Sequence, residues 1–235
     1  MNKGTLYLIP SPLSEEPVES VLPQRVLSVI SSLQCFVVEE VRTARRFLSS
    51  AGRKGQIDTL EFHQLNEHTT PSQVEALSTL FDDGRSVGLI SEAGLPAVAD
   101  PGAALVELCH RIGVKVVPLV GPSSLMMALM GSGLNGQSFA FNGYLPAKTP
   151  QRRTALVQFE KLSSKLHQSE IFIETPYRND SLLADMLECL SGETRLCIAT
   201  DITASDESVI TKTIAEWKQQ KPIIGKRPTV FILLA

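Results

Sequence analysis

From residue 5 to residue 119 short apolar runs alternate with stretches of helical periodicity, and this alternation restricts the fold more than any other feature. Residues 5–9, Thr-Leu-Tyr-Leu-Ile, read as a buried strand stopped by Pro10 and Pro12. Residues 23–33 place Val26, Leu27, Ile30 and Leu33 on one helical stripe, and 35–38, Cys-Phe-Val-Val, read as the next strand. Residues 41–50 read as a helix with three arginines, and 59–65 as a third strand. Thr70 before Pro71 is a capping hydroxyl ahead of a first-turn proline, which predicts a helix to about residue 81. Residues 86–90 form a strand, 102–112 a helix closed by Gly113, and 114–119 a strand. Strand and helix in regular alternation build a mostly parallel sheet covered on both faces.

The second half has a different rhythm. Ser123 or Ser124 caps a helix over 125–131, residues 139–141 form a strand, and 151–166 form an amphipathic helix. Residues 170–174 are a strand and 182–190 a helix. Strands follow at 195–201, 207–213 and 229–234. Two strands in succession near the end make an antiparallel pair, hence a mixed sheet. The expectation is two α/β domains, 1–120 with a mostly parallel sheet and 121–235 with a mixed sheet. A short linker at 120–123 joins them, and they meet at a cleft.

The composition, 43% hydrophobic and 20% charged, supports sizeable cores and excludes gross disorder. A net charge of −3 argues against a protein that coats nucleic acid, while leaving room for a local basic patch. No run approaches the ~18–20 apolar residues of a membrane helix, and the apolar run 6–9 is too short for a signal-peptide core. Four cysteines, Cys35, Cys109, Cys189 and Cys197, form no CxxC pair. Their number and setting fit a reduced, cytoplasmic protein. His63, His68, His110 and His167 have no spacing typical of a metal site, so no metal is expected.

In an open parallel sheet ligands bind beyond the C-terminal ends of the strands. Four loops fall there: 10–14, 39–43, 91–102 and 120–124. Neither a G-x-G-x-x-G nor a P-loop is present, so nucleotide phosphates are not the obvious guest. Ser91-Glu92-Ala93-Gly94 sets an acid among small residues, which suits a ligand bearing an amine, hydroxyls or a cationic centre. Of the carboxylates at strand ends or in this loop, Asp100 before Pro101-Gly102 reads as a helix cap. Glu174 ends a strand, and Glu40 and Glu92 are the candidate catalytic groups. Arg42, Arg45 and Arg46 make one basic cluster, and Lys148, Arg152 and Arg153 another. Either attracts a phosphate backbone, or is a solvated helix face.

Taken in order, several of these stretches resemble the blocks of one family. Ser91-Glu-Ala-Gly-Leu-Pro-Ala-Val-Ala-Asp-Pro-Gly102 resembles the S-D-A-G-x-P-x-x-x-D-P-G loop of the tetrapyrrole methylase superfamily. Gly4 to Pro12, Glu39-Glu-Val-Arg42, Val120-Gly-Pro-Ser-Ser124, Gly143-Tyr-Leu-Pro146 and Glu174-Thr-Pro-Tyr-Arg178 are similar to five further blocks. All six fit the branch that methylates a cytidine 2′-OH of small-subunit ribosomal RNA.

The resemblance implies a homodimeric methyltransferase with S-adenosylmethionine in the interdomain cleft. It assigns Pro12, Ser91, Glu92, Ala93, Gly94, Val98, Ser123, Ser124, Tyr144 and Thr229 to the cofactor. Arg42, Lys148 and Arg152 fall to the substrate, ribosomal RNA. The chain departs from that branch at Pro12-Leu-Ser-Glu-Glu16, at Glu92 where the family has aspartate, at Val41 for threonine, and at Leu65 for a histidine. It also ends at its last strand, where many members carry a further segment. These departures keep two other readings open: methylation of a tetrapyrrole or another small molecule, and a binding protein without turnover.

Overall fold

The structure is a computed structural model, and it describes residues 3–220 and 222–235. The chain divides into two compact units, Met1–Ser123 and Ser124–Ala235. In the first unit, strands β1 (Thr5–Ile9), β2 (Cys35–Val38), β3 (Glu61–Gln64), β4 (Val87–Ile90) and β5 (Lys115–Pro118) form one sheet in the order β3-β2-β4-β1-β5. Every pairing in it is parallel. β2 and β4 are buried along their whole length, which is why they are unbroken apolar runs rather than alternating ones. Ile9, Ile30, Phe36, Leu48 and Ile90 pack on one face. Leu6, Val37, Phe81, Leu89 and Leu105 pack on the other.

The helices of this unit are α1 (Val18–Val21), α2 (Gln24–Ser32), α3 (Val41–Leu48), α4 (Pro71–Ala76) and α5 (Gly102–Arg111). α4 opens on a capping box between Thr70 and Gln73 and continues as a 3₁₀ turn over Leu77–Phe81. α3 runs on into a wide turn over Ser49–Arg53, past the expected stop at residue 50. Arg53 is buried there and donates to the carbonyls of Ile30 (3.2 Å) and Leu33 (3.1 Å), satisfying the open C-terminus of α2.

The second unit carries α6 (Ser124–Ser132), β6 (Phe139–Tyr144), α7 (Thr149–Leu166), β7 (Ser169–Ile173), α8 (Asn179–Cys189), β8 (Arg195–Thr200), β9 (Ser208–Thr213), α9 (Ile214–Gln220) and β10 (Thr229–Leu234). Its sheet has the order β6-β7-β10-β8-β9. The β6–β7 pair is parallel and the other pairs antiparallel, so the sheet is mixed as expected. Helices α1 and α9 were not expected. α9 was nonetheless legible: Thr213 and Glu216 are three apart and form a reciprocal cap, Glu216 accepting from the Thr213 amide (2.8 Å) and Thr213 Oγ1 from the Glu216 amide (3.2 Å).

Candidate functional site

The C-terminal ends of the parallel strands are tied into one frame by their own loops. Ser11, just past β1, forms a two-way backbone bridge with Gly94, just past β4: Ser11 N to Gly94 O is 2.8 Å and Gly94 N to Ser11 O is 3.0 Å. The Ser11 hydroxyl also donates to the Ser91 carbonyl at 2.8 Å. Gly94 holds φ +72°, a conformation open to glycine at little cost. Past β5, Gly121 lies so close to Pro10 that a Cβ there would sit 2.2 Å from the proline ring. Glycine at 121 is therefore what lets the β5 loop approach the β1 loop.

Within the loop, Ala97 (φ 66°) and Ala99 (φ 60°) are both left-handed, a costly state for residues with a Cβ. Asp100 holds it: its Oδ1 accepts from the Ala97 amide (2.9 Å) and from the Gly102 amide (2.7 Å), closing the loop against the start of α5. The carboxylate expected as the N-cap of α5 thus sits one residue ahead of the cap position, Pro101, and takes the first helical amide, that of Gly102. Val98, between the two strained alanines, is displayed to solvent with 45% of its surface exposed.

The electrostatics of these loops are acidic. Glu39, the first residue beyond β2, has its carboxyl pushed above its usual value, first by burial and then by Glu92 and Asp100. A hydrogen bond from the Glu92 backbone opposes the rise. Burial likewise raises Asp100 against its two amide donors. Glu40, the expected candidate base, is exposed, and its Oε1 accepts from the Arg42 amide at 3.0 Å as the N-cap of α3. Glu39 rather than Glu40 is the carboxylate turned toward the 91–102 loop. Strand alternation puts the two glutamates on opposite faces, but with both faces of β2 buried it does not signal which one meets the loop.

Beside this frame lies a cavity of about 420 Å³. Its walls include Pro12, Glu15 and Glu16 of the first loop, Arg46 and Phe47 of α3, and Glu92. The buried Ser91 also faces it. Three glutamates against one arginine, with the hydroxyls of Ser11, Ser14 and Thr43 beside them, fit a cationic ligand with hydroxyls better than a phosphate.

A family model described as Tetrapyrrole (Corrin/Porphyrin) Methylases matches residues 19–218. The ribosomal RNA small subunit methyltransferase I of Vibrio cholerae serotype O1 is 36% identical over 211 residues, covering 90% of this chain and 69% of that protein. The protein of the same name from Neisseria meningitidis serogroup A is 33% identical over 213 residues, with 91% and 69% covered. The chain belongs to the tetrapyrrole methylase family.

Solved structures agree on the fold. Diphthine synthase superposes with a TM-score of 0.66 at 13% identity, over 98% of this chain and 89% of that one. Uroporphyrin-III C-methyltransferase from Thermus thermophilus, complexed with S-adenyl homocysteine, gives 0.57 at 16% identity, over 98% and 97%. As a tetrapyrrole methylase the chain is an S-adenosylmethionine-dependent methyltransferase.

The methylase motifs of the first unit fall where strand ends converge. Pro12, Ser91 and Glu92 share the cavity, Gly94 is bridged to Ser11, and Ala93 and Val98 are exposed along the same loop. Ser123, half-buried, closes this unit. In the second unit Ser124 begins α6, and Tyr144 ends β6 with 57% exposure. Thr229 is buried at the start of β10, where its Oγ1 accepts from Asn179 (3.3 Å) and donates to the Arg227 carbonyl (2.8 Å). Glu174 is buried and bound to Arg178 (2.6 Å) and to the Thr175 amide (2.7 Å), an ion pair closing the Glu174-to-Arg178 motif.

The basic residues assigned to substrate divide. Arg42 and Lys148 are exposed, but Arg152 is not: it is 1% exposed and donates from Nε to Asp185 (2.7 Å) and from Nη2 to Ser181 (2.8 Å). Its expected role at a phosphate backbone is corrected accordingly. Asp185 on α8 takes both Arg152 and Arg153, and a side chain so enclosed joins α7 to α8. Sequence reading also passed over Ser11 and Glu39. Ser11 is one more hydroxyl beside a proline, and only the pairing across to Gly94 reveals its part.

Proposed function

We propose that this methyltransferase acts on ribosomal RNA of the small subunit, transferring a methyl group to a ribose 2′-hydroxyl of cytidine. Its named relatives at 36% and 33% identity support the acceptor class. The observation that carries the reading is the Ser11–Gly94 bridge, which presents Ser91, Glu92 and Ala93 at the mouth of the parallel sheet. S-adenosylmethionine, when bound, supplies a methyl group activated on a sulfonium.

Glu39 and Glu92 provide negative charge for a ligand with a cationic centre, and Gly94 and Gly121 allow backbone groups to approach it. The family resemblance adds Pro12, Val98 and Ser123 in the first unit and Ser124, Tyr144 and Thr229 in the second. Glu92 is exposed on the cavity wall, and this supports reading it as the carboxylate that takes the proton a hydroxyl acceptor loses as its oxygen bonds to the methyl carbon. Arg42, Arg46 and Lys148 are the exposed cations of the two clusters and attract the RNA backbone. A homodimer working in the cytoplasm completes the reading; no helix among the described residues is long and apolar enough to cross a membrane.

A specific observation keeps a second acceptor class in view. Glu15 and Glu16 line the same cavity as Arg46 and repel anions at its entrance. This selects against phosphates and against carboxylate-rich tetrapyrroles alike, and favours a neutral or cationic small acceptor. The test is release of S-adenosylhomocysteine in the presence of small ribosomal subunits or of small-molecule acceptors, with Glu92→Ala alongside. Turnover on subunits, with cofactor affinity weakened in Glu92→Ala by calorimetry, supports the reading. Turnover only on small molecules would replace the acceptor, and unchanged affinity in a folded Glu92→Ala protein would remove Glu92 from the site.

A further inference from the structure

At the opposite ends of the strands from the loops just described, β2 and β3 begin side by side, with Cys35 paired to Glu61 and Val37 to His63. Residues two apart on a strand share a face, so Glu61 and His63 project on one side of the sheet, as does Cys35 across from Glu61. The Cys35 sulfur, a Glu61 carboxylate oxygen and a His63 ring nitrogen all lie within 4.8 Å of one another. We propose that these three side chains form a zinc site with a fourth position open to water.

The donor set is the first reason. A thiolate, an imidazole and a carboxylate together match zinc, whereas calcium and magnesium favour sites made only of oxygen. The spacing is the second. Zinc–ligand bonds of about 2.0–2.3 Å put neighbouring donors of a tetrahedral ion roughly 3.3–3.8 Å apart, so the sulfur needs to close by about 1.5 Å at most while Glu61 and His63, 2.6 Å apart, part by about 0.7 Å.

The surroundings are the third. Arg85 donates to Glu61 Oε2 at 2.5 Å and, from its Nε, to the Leu80 carbonyl at 3.3 Å. This anchors one carboxylate oxygen and leaves Oε1 facing His63, 2.6 Å from its Nε2. A ligating carboxylate held by an outer partner in this way is a recurrent feature of metal sites. Burial, and secondarily the Glu61 charge, push the free Cys35 thiol up to about 11, so the proton stays on sulfur until a cation replaces it. On binding, the S–H proton passes to solvent as the sulfur–zinc bond forms, the proton that His63 Nε2 donates to Glu61 shifts through water to Nδ1, and the freed nitrogen and carboxylate oxygen each bond the metal. With thiolate and carboxylate against a divalent ion, the site is neutral apart from Arg85.

Access runs past Glu61 and His63, whose side chains are 44% and 30% exposed, while Cys35 is fully enclosed. The ion would clamp β3, the edge strand of its sheet, to β2. Sequence spacing concealed the set because its members come from two strands and only the pairing register assembles them.

The test is a cobalt(II) titration of the full chain, followed by zinc competition against a chelating indicator. One ion per chain with a thiolate-to-cobalt charge-transfer band is expected. The band should be lost in Cys35→Ala and kept in Cys197→Ala, another buried cysteine. Zinc affinity should fall by ~10-fold or more in His63→Gln. No charge-transfer band, or one that persists in Cys35→Ala, would overturn the site and leave the trio as an ion-pair network only. Should Cys35→Ala not fold, His63→Gln decides at its partly exposed position, where an unchanged cobalt spectrum and zinc affinity refute the proposal. Methyl transfer is no part of the readout, so this result and that of the acceptor assay are independent.

Discussion

The two arginine-bearing clusters look alike in sequence and do opposite things in the fold. On α3, Arg42 and Arg46 are exposed and form no ion pair among the described residues, and Arg46 borders the cavity; only Arg45 is paired, to Asp58. On α7, Arg152 and Arg153 are drawn onto Asp185, with Glu188 completing the network at 3.0 Å from Arg153. Composition cannot tell them apart. The difference is set by what packs opposite: α8 brings carboxylates to α7, whereas the exposed side of α3 meets the acidic first loop only across open space. A basic cluster is therefore available to a ligand only where the neighbouring element leaves it unneutralised.

Arg152→Ala should give the largest effect. Removing Arg152 leaves the buried Asp185 with only the partly exposed Arg153 as its ionic partner, so a loss of about 1.5–3 kcal/mol, short of the cost of a wholly stranded charge, is expected in urea unfolding. A loss below about 1 kcal/mol would mean that water reaches Asp185, and the contrast between the clusters would weaken.

The same contrast explains how far the sequence could be read. Strand positions emerged almost unshifted, because β2 and β4 are buried on both faces and carry unbroken apolar runs. β10 lies at 229–234 as expected for the same reason. Loop chemistry was legible where one residue acts locally, as with Asp100 over Gly102 and Thr70 over Gln73. It was not legible where the partner is far away in the chain. The bond from Ser11 to Ser91 and the ion pair of Arg152 with Asp185 join residues with no sequence relation, as does the Cys35–Glu61 pairing. Leu65 stands where the resembling branch has a histidine, and it is buried in the core with Val37 and Leu77, which leaves that position no direct chemistry.

The acidic loops sharpen the comparison from the other sign. Glu39 holds its proton more tightly in the folded chain than at its ordinary 4.5, through burial and then Glu92 and Asp100. The folded state therefore binds more protons than the unfolded one just above that value. Its contribution to stability is complete below pH 4.5 and is lost as pH rises through the folded value. Glu39→Gln should abolish that decline, gaining on the wild type as pH rises from 4.5 and then holding a constant advantage. Parallel stability–pH curves for the two proteins would show that Glu39 carries no such strain. Weaker cofactor binding in the more stable variant would tie the strain to function.

Arg46→Ala should move stability least. An exposed, unpaired side chain contributes within about 0.5 kcal/mol, so the unfolding curve should overlay that of the wild type. Its effect belongs to the ligand instead. If Arg46 meets an RNA phosphate, the variant binds more weakly across sequences, and the slope of log affinity against log salt falls by about 1. Arg152→Ala, compared in the same titration under conditions where it stays folded, should leave that slope unchanged, because its charge never faced solvent. Equal slopes for wild type and Arg46→Ala would mean that the acidic pair Glu15 and Glu16 already keeps phosphate away from this wall, and the small-acceptor reading would then lead.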